Sequence, residues 1–135
     1  FEQSEDASVR FRAAALMVNS LAVTRDFAEG VRYMNEMLAL IDEIEEPETR
    51  HHGWAAAGTI SNLVGRHEDG QRFAQLMLGD EPNERTACFA GALLLESLYG
   101  QRKLAERPEI ITEQIERCIA AGEPLMTNYA RAYQA

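Results

Sequence analysis

Apolar residues along this chain recur with the spacing of helices, and no segment shows the sustained alternation of a strand. Val9, Ala13, Leu16, Met17, Ser20 and Leu21 follow an i, i+3, i+4, i+7 rhythm that gives a first helix one apolar face. Ser4 or Asp6 is expected to cap its start. Asp26 is expected to cap a second helix running to about Ile44, with Glu29 placed as in a capping box and Glu45, Glu46 and Pro47 ending it. A third helix starts near Thr49, carries Trp54, Gly58 and Leu63, and stops near Gly65. A fourth covers His67–Leu78 and is broken by Gly79, Asp80 and Pro82. Asn83 is expected to cap a fifth helix that ends at Gly100. After a longer connector, Pro108 opens a sixth helix ending before Gly122, and Pro124 opens a seventh. Phe73, Phe89 and Tyr99 fall at core spacing.

The chain also repeats itself. Moving the stretch around Phe27–Leu38 forward by 40 residues lays Glu29 on Asp69, Gly30 on Gly70, Arg32 on Arg72 and Tyr33 on Phe73. Asn35 then meets Gln75, Met37 meets Met77 and Leu38 meets Leu78. A period of this size predicts stacked helical hairpins. The expectation is an all-α fold of about seven helices: three antiparallel hairpins, at about 4–45, 48–79 and 83–121, plus a last helix at 124–135. All lie in one domain. The third hairpin departs from the register, since laying Gly65 on Gly100 needs a shift of 35.

The second hairpin resembles the tetratricopeptide repeat. Trp54, Gly58, Gly65, Gly70 and Met77 match that repeat's Trp, Gly, turn Gly and two small-residue positions. Ala14, Met17, Leu21, Phe27, Gly30, Met37 and Leu38 match its apolar positions in the first hairpin. Small residues let two helices approach closely, while Trp54 fills the wider open end. The departures are the period, which is about 34 residues in that family, His67 where Tyr is usual, and Met77 at a small-residue position. HEAT-type arrays also fit a 40-residue period; the Trp–Gly–Gly spacing favours the tetratricopeptide pattern.

The stretch from 85 to 131 resembles a helical region found ahead of a transmembrane helix and a diguanylate cyclase (GGDEF) domain in some bacterial signalling proteins. It carries "CFAGALLLESLYGQRKL" and "IERCIAAGEPLMTNYARAY", with Cys88, Leu95, Glu96, Cys118, Gly122, Glu123, Asn128 and Ala130 as the shared positions. The resemblance implies a sensory part whose cyclase lies downstream, often in the periplasm; without it a cytoplasmic location is expected. The cyclase signature itself is absent here, and so is any phosphate loop or nucleophile elbow, so this chain is not expected to be an enzyme. A start at Phe1 and a stop inside the helical pattern of 125–135 suggest a piece of a longer protein.

Tetratricopeptide arrays hold ligands on the concave face made by the first helix of each hairpin. Carried over by position, that face selects Arg12 and Asn19 in the first hairpin, His52, Thr59 and Asn62 in the second and Ser97 in the third. Asn19, Thr59 and Asn62 interrupt apolar helices at some cost in helix propensity, and Asn with Arg can clamp a peptide backbone or a carboxylate. Replacing Asn62 with Ala is expected to weaken ligand binding with little loss of stability. Ordinary solvated positions are the alternative. The expected partner is a peptide, a protein segment or a small molecule. If the chain instead stands alone as a scaffold, Leu125, Met126, Tyr129 and Tyr133 are expected to be covered by a second copy, giving a homodimer through the last helix.

Composition trims the choices further. The net charge is −9, from 13 Lys and Arg against 22 Asp and Glu. Nucleic-acid binding needs a basic stripe, which is missing. The acidic run Asp42, Glu43, Glu45, Glu46 and Glu48 is unexpected at a helix C-terminus, where carboxylates are disfavoured. The longest apolar runs, 13–18 and 90–95, fall far short of a membrane span. Cys88 and Cys118 come level if helices five and six are antiparallel, so they either form a disulfide, which implies an oxidising compartment, or remain two buried thiols. His51 and His52 point about 100° apart on a helix and no metal-ligand spacing occurs, so neither a metal nor another cofactor is expected.

Overall fold

The computed structural model describes residues 2–134, with side chains from residue 6 onward. Among them there are seven α-helices and no strand: α1 Glu2–Val23, α2 Phe27–Leu38, α3 Pro47–Leu63, α4 His67–Leu78, α5 Glu84–Gly100, α6 Glu109–Ala120 and α7 Pro124–Ala132. Helices α1 and α2, α3 and α4, and α5 and α6 pair as hairpins. Each first helix also leans on the next, α1 on α3, α3 on α5 and α5 on α7, while α4 packs closely on α5.

The register is more regular than the sequence pattern suggests. α2 and α4 start and end 40 residues apart, and α1 and α3 end 40 apart. From α3 to α5 both ends shift by 37, not 35. Gly100 is therefore the last residue of α5, and the residue aligned with Gly65 is Arg102. The backbone bears this out. Arg25, Gly65 and Arg102 all take a left-handed conformation, with φ of 63°, 82° and 60°. At each the following amide reaches back five residues, Asp26 to Leu21, Arg66 to Ser61 and Lys103 to Leu98, which satisfies carbonyls the helix end would otherwise leave free.

Two local expectations are corrected. α2 stops at Leu38, because the chain must leave the helix axis to bury Ile44 and to bring Leu40 and Ile41 against the first core. The acidic residues consequently stand not behind a helix but before one: Glu46 is the N-cap position of α3 and Glu48 lies in its first turn, where the helix dipole favours carboxylates. Asp26 occupies the N-cap position of α2 without a side-chain capping bond, and Glu29 turns to Arg32 instead, at 2.7 Å. Asn83 does cap α5, its side-chain oxygen accepting from the Thr86 amide at 2.8 Å. α1 already runs from Glu2, so Asp6 lies inside it; the side chain of Ser4 falls outside the described residues.

The face that α1 buries also differs from the expected one. Ala7, Phe11, Ala14, Ala15 and Val18 point into the protein, while Val9, Ala13, Leu16, Met17 and Ser20 are exposed. The first core joins Phe11, Val18, Met34, Met37, Ile60 and Phe73; a second joins Met77, Leu94, Leu95, Leu98, Ile110 and Ile111. Trp54 packs against both. Phe73 is buried, but Phe89 and Tyr99 are 41% and 67% exposed and belong to the surface.

One ion-pair joint and one covalent bond brace the hairpins. Arg50 grips both carboxylate oxygens of Asp80 at 3.0 and 3.1 Å and donates to the carbonyls of Ile44 and Glu45 at 2.9 and 2.8 Å. It thus ties α3 to the connectors on either side. Cys88 and Cys118 are bridged, their Cα atoms 4.9 Å apart near the start of α5 and the end of α6. Closing a loop with a sequence separation of 30 stabilises a fold by about 3–4 kcal/mol in the chain-entropy account.

Candidate functional site

The first helices share one face, and the register aligns that face residue by residue. On α1 it presents Arg12, Ala15 and Asn19. Forty residues on, α3 presents His52, Ala55 and Thr59. Thirty-seven further, α5 presents Phe89, Ala92 and Glu96, and thirty-seven further again α7 and its C-cap present Met126, Tyr129 and Tyr133. These twelve side chains line adjoining hollows. One of about 440 Å³ lies between α1 and α3, and one of about 380 Å³ lies between α5 and α7; Thr59 and Phe89 line both. The result is one trough. Alanines at 15, 55 and 92 keep its floor low, since a methyl group is all that rises between the helices.

The trough changes character along its length. At the α1–α3 end Arg12 is anchored rather than free, its guanidinium 3.1 Å from Glu46 and 3.3 Å from the Thr49 hydroxyl. Thr59 donates back to the Ala55 carbonyl at 2.8 Å, leaving its oxygen lone pairs toward the trough. Asn19 and His52 are exposed beside them. At the α5–α7 end the walls are aromatic. Tyr133 meets Tyr99 edge to face at 5.6 Å between ring centroids. The Glu96 carboxyl sits among these groups, and loss of hydration there holds its pKa above the ordinary carboxylate range, with His67 pulling the other way. Burial, then Glu96 and Tyr99, push the Tyr133 phenol above its ordinary value.

Of the six positions selected from sequence, Arg12, Asn19, His52 and Thr59 stand together in the trough. Asn62 and Ser97 do not line it. Asn62 is 5% exposed and Ser97 fully buried, and they bond each other: the Ser97 hydroxyl donates to the Asn62 side-chain oxygen at 2.9 Å. That oxygen also lies 3.1 Å from His67 Nδ1. This is a satisfied interior network pinning α3 to α5. Replacing Asn62 would strand buried partners and cost about 1–3 kcal/mol, the reverse of the expectation of little stability loss. Besides the floor alanines, Phe89, Glu96, Met126, Tyr129 and Tyr133 are among the trough residues absent from that selection. The 37-residue step from His52 to Phe89 to Met126 is the signal that finds them.

On α7 the expected dimer surface divides. Leu125 and Tyr129 are exposed, but Met126 and Tyr133 turn partly inward. Among the described residues no helix is long and apolar enough to cross a membrane. Compared with known protein families, with curated proteins and with solved structures, the chain has no match.

Proposed function

We propose that this chain is a binding module whose trough holds a peptide, a protein segment or a small molecule. The observation that carries the reading is the trough itself: four aligned helices, a floor of alanines, a polar end at Arg12, Asn19 and His52, and an aromatic end at Phe89, Tyr129 and Tyr133. Concave, mostly apolar hollows with a few convergent polar groups are the usual form of ligand sites. The resemblance to sensor regions of diguanylate cyclases supports a regulatory role, with occupancy of the trough passed through α7 to an output domain in a bacterial signalling protein. On that reading the chain is itself not catalytic. The Cys88–Cys118 bridge supports an oxidising compartment such as the periplasm.

Panning a random peptide library on the protein and on its Phe89→Asp variant tests the reading. Enrichment of related sequences on the parent, reduced at least about tenfold on the variant, is the expected outcome. Equal enrichment on both, or none on either, counts against a peptide-binding trough. A stand-alone scaffold is the second reading, favoured by the exposed Leu125 and Tyr129 on α7.

A further inference from the structure

Beside the trough, among the described residues, an exposed apolar stripe runs along the outward side of α1: Val9, Ala13, Leu16, Met17 and Ser20, with Val9 65% and Leu16 69% exposed and Leu16 also at the trough's edge. The register states what such a stripe is for. The same positions on α3 are Thr49, Gly53, Ala56, Ala57 and Ile60, all buried, with Gly53 beneath the Phe11 ring of α1 and Ile60 beside Gly30 of α2. On α5 they are Thr86, Ala90, Leu93, Leu94 and Ser97, covered by α3 and α4. Side by side, the α1 and α5 stripes read Val and Thr, Ala and Ala, Leu and Leu, Met and Leu, Ser and Ser. The α1 surface is therefore chemically the face that this fold elsewhere buries under a preceding hairpin.

We propose that the outward stripe of α1 docks a partner hairpin of the same kind as α3–α4. Where α3 covers α5, Gly58 of α3 makes room for Leu93, and Asn62 of α3 accepts the Ser97 hydroxyl at 2.9 Å. The partner places a small residue over Leu16 and a carboxamide against Ser20 in the same way. A second copy of this chain does not supply that face, because its own α3–α4 surface already holds its α5, and its α5–α6 surface holds its α7. Of the stripe, only Leu16 also lines the trough.

The test supplies such a hairpin covalently. Residues 47–83 are duplicated and placed directly ahead of Ala7, in place of residues 1–6, which reproduces the α4–α5 connection with Asn83 as cap. Melting temperature, the mass in solution and the reactivity of a Met17→Cys thiol are read; that thiol is the only free one, since both native cysteines are bridged. The expected result is a monomer melting at least about 5 °C higher. Its thiol should react at least about tenfold more slowly than in the unextended chain. Leu16→Asp should remove most of that gain while barely moving the unextended chain. An unchanged melting temperature with an equally reactive thiol overturns the proposal. So does an unextended chain that dimerises and whose Ala13→Cys variant cross-links to its own copy, for then a second copy owns the stripe.

Discussion

The first two hairpins are built on one plan, yet they close their open ends with different chemistry. In the first, position 11 is Phe, fully buried, and position 40 is Leu against the same core. Forty residues later the same two positions are His51 and Asp80. The His51 ring is buried, and its Nε2 lies 2.9 Å from the Asp80 carbonyl and 3.1 Å from the Asp80 carboxylate, so that nitrogen carries the proton. Arg50 completes the cluster. The third hairpin offers yet another answer, since the 37-residue step lands on Cys88 and its disulfide. One geometric position thus accepts an aromatic ring, an ion-pair cluster or a covalent bond. What the fold specifies there is a filled volume between a first helix and the end of its hairpin; the chemistry that fills it varies, and with it the response to the surroundings.

The comparison breaks hardest at the ring. Phe11→Ala should lower stability by about 3–5 kcal/mol, because it removes a fully buried aromatic side chain and leaves a cavity over Gly53. Urea unfolding followed by circular dichroism should show that loss to be the same at pH 7 and pH 4. Asp80→Asn should be milder, about 1–2 kcal/mol at pH 7. The hydrogen bonds from Arg50, opposed by burial, hold the Asp80 carboxyl below its ordinary 3.8. A carboxyl with a depressed folded pKa contributes stability above its unfolded value and loses it as pH falls through the folded value. The gap between parent and variant should therefore shrink as the pH is taken below about 4, and a gap that stays constant would remove the ion pair from its assigned role. Smallest is the turn. Arg25→Gly should raise stability by about 0.5–1 kcal/mol, since Arg25 holds the left-handed conformation that Gly65 adopts at the equivalent place without a side chain to oppose it. A thermal melt that falls would show that the Arg25 side chain makes a contribution of its own.

Much of this was legible before any coordinates. Gly, Pro and Asn83 punctuate the helices, so α4 and α5 fall close to their expected limits. The strict 40-residue step set Arg12 and Asn19 beside His52 and Thr59. The remainder was hidden for physical reasons. A shift of 35 in place of 37 is an error of two residues, and two residues turn a helix by about 200°. That error carried Asn62 onto Ser97, in the interior, and passed over Phe89 and Glu96. The α1 face was misassigned because α1 has two apolar stripes, and periodicity alone does not say which one meets the core. Nor does any local pattern in the sequence announce that Asp80, 30 residues from Arg50, is its partner.

Trp54 is the only tryptophan in the chain, and it packs against both cores. Its neighbours include the His51 ring, 6.2 Å away between centroids. The protein therefore carries one indole, selectively excited at the red edge of the aromatic absorption, at the seam between its two halves. Any event that reseats one half against the other changes the polarity and the quenching that this indole senses. Its emission spectrum is a built-in strain gauge, readable without a label and before any ligand has been identified.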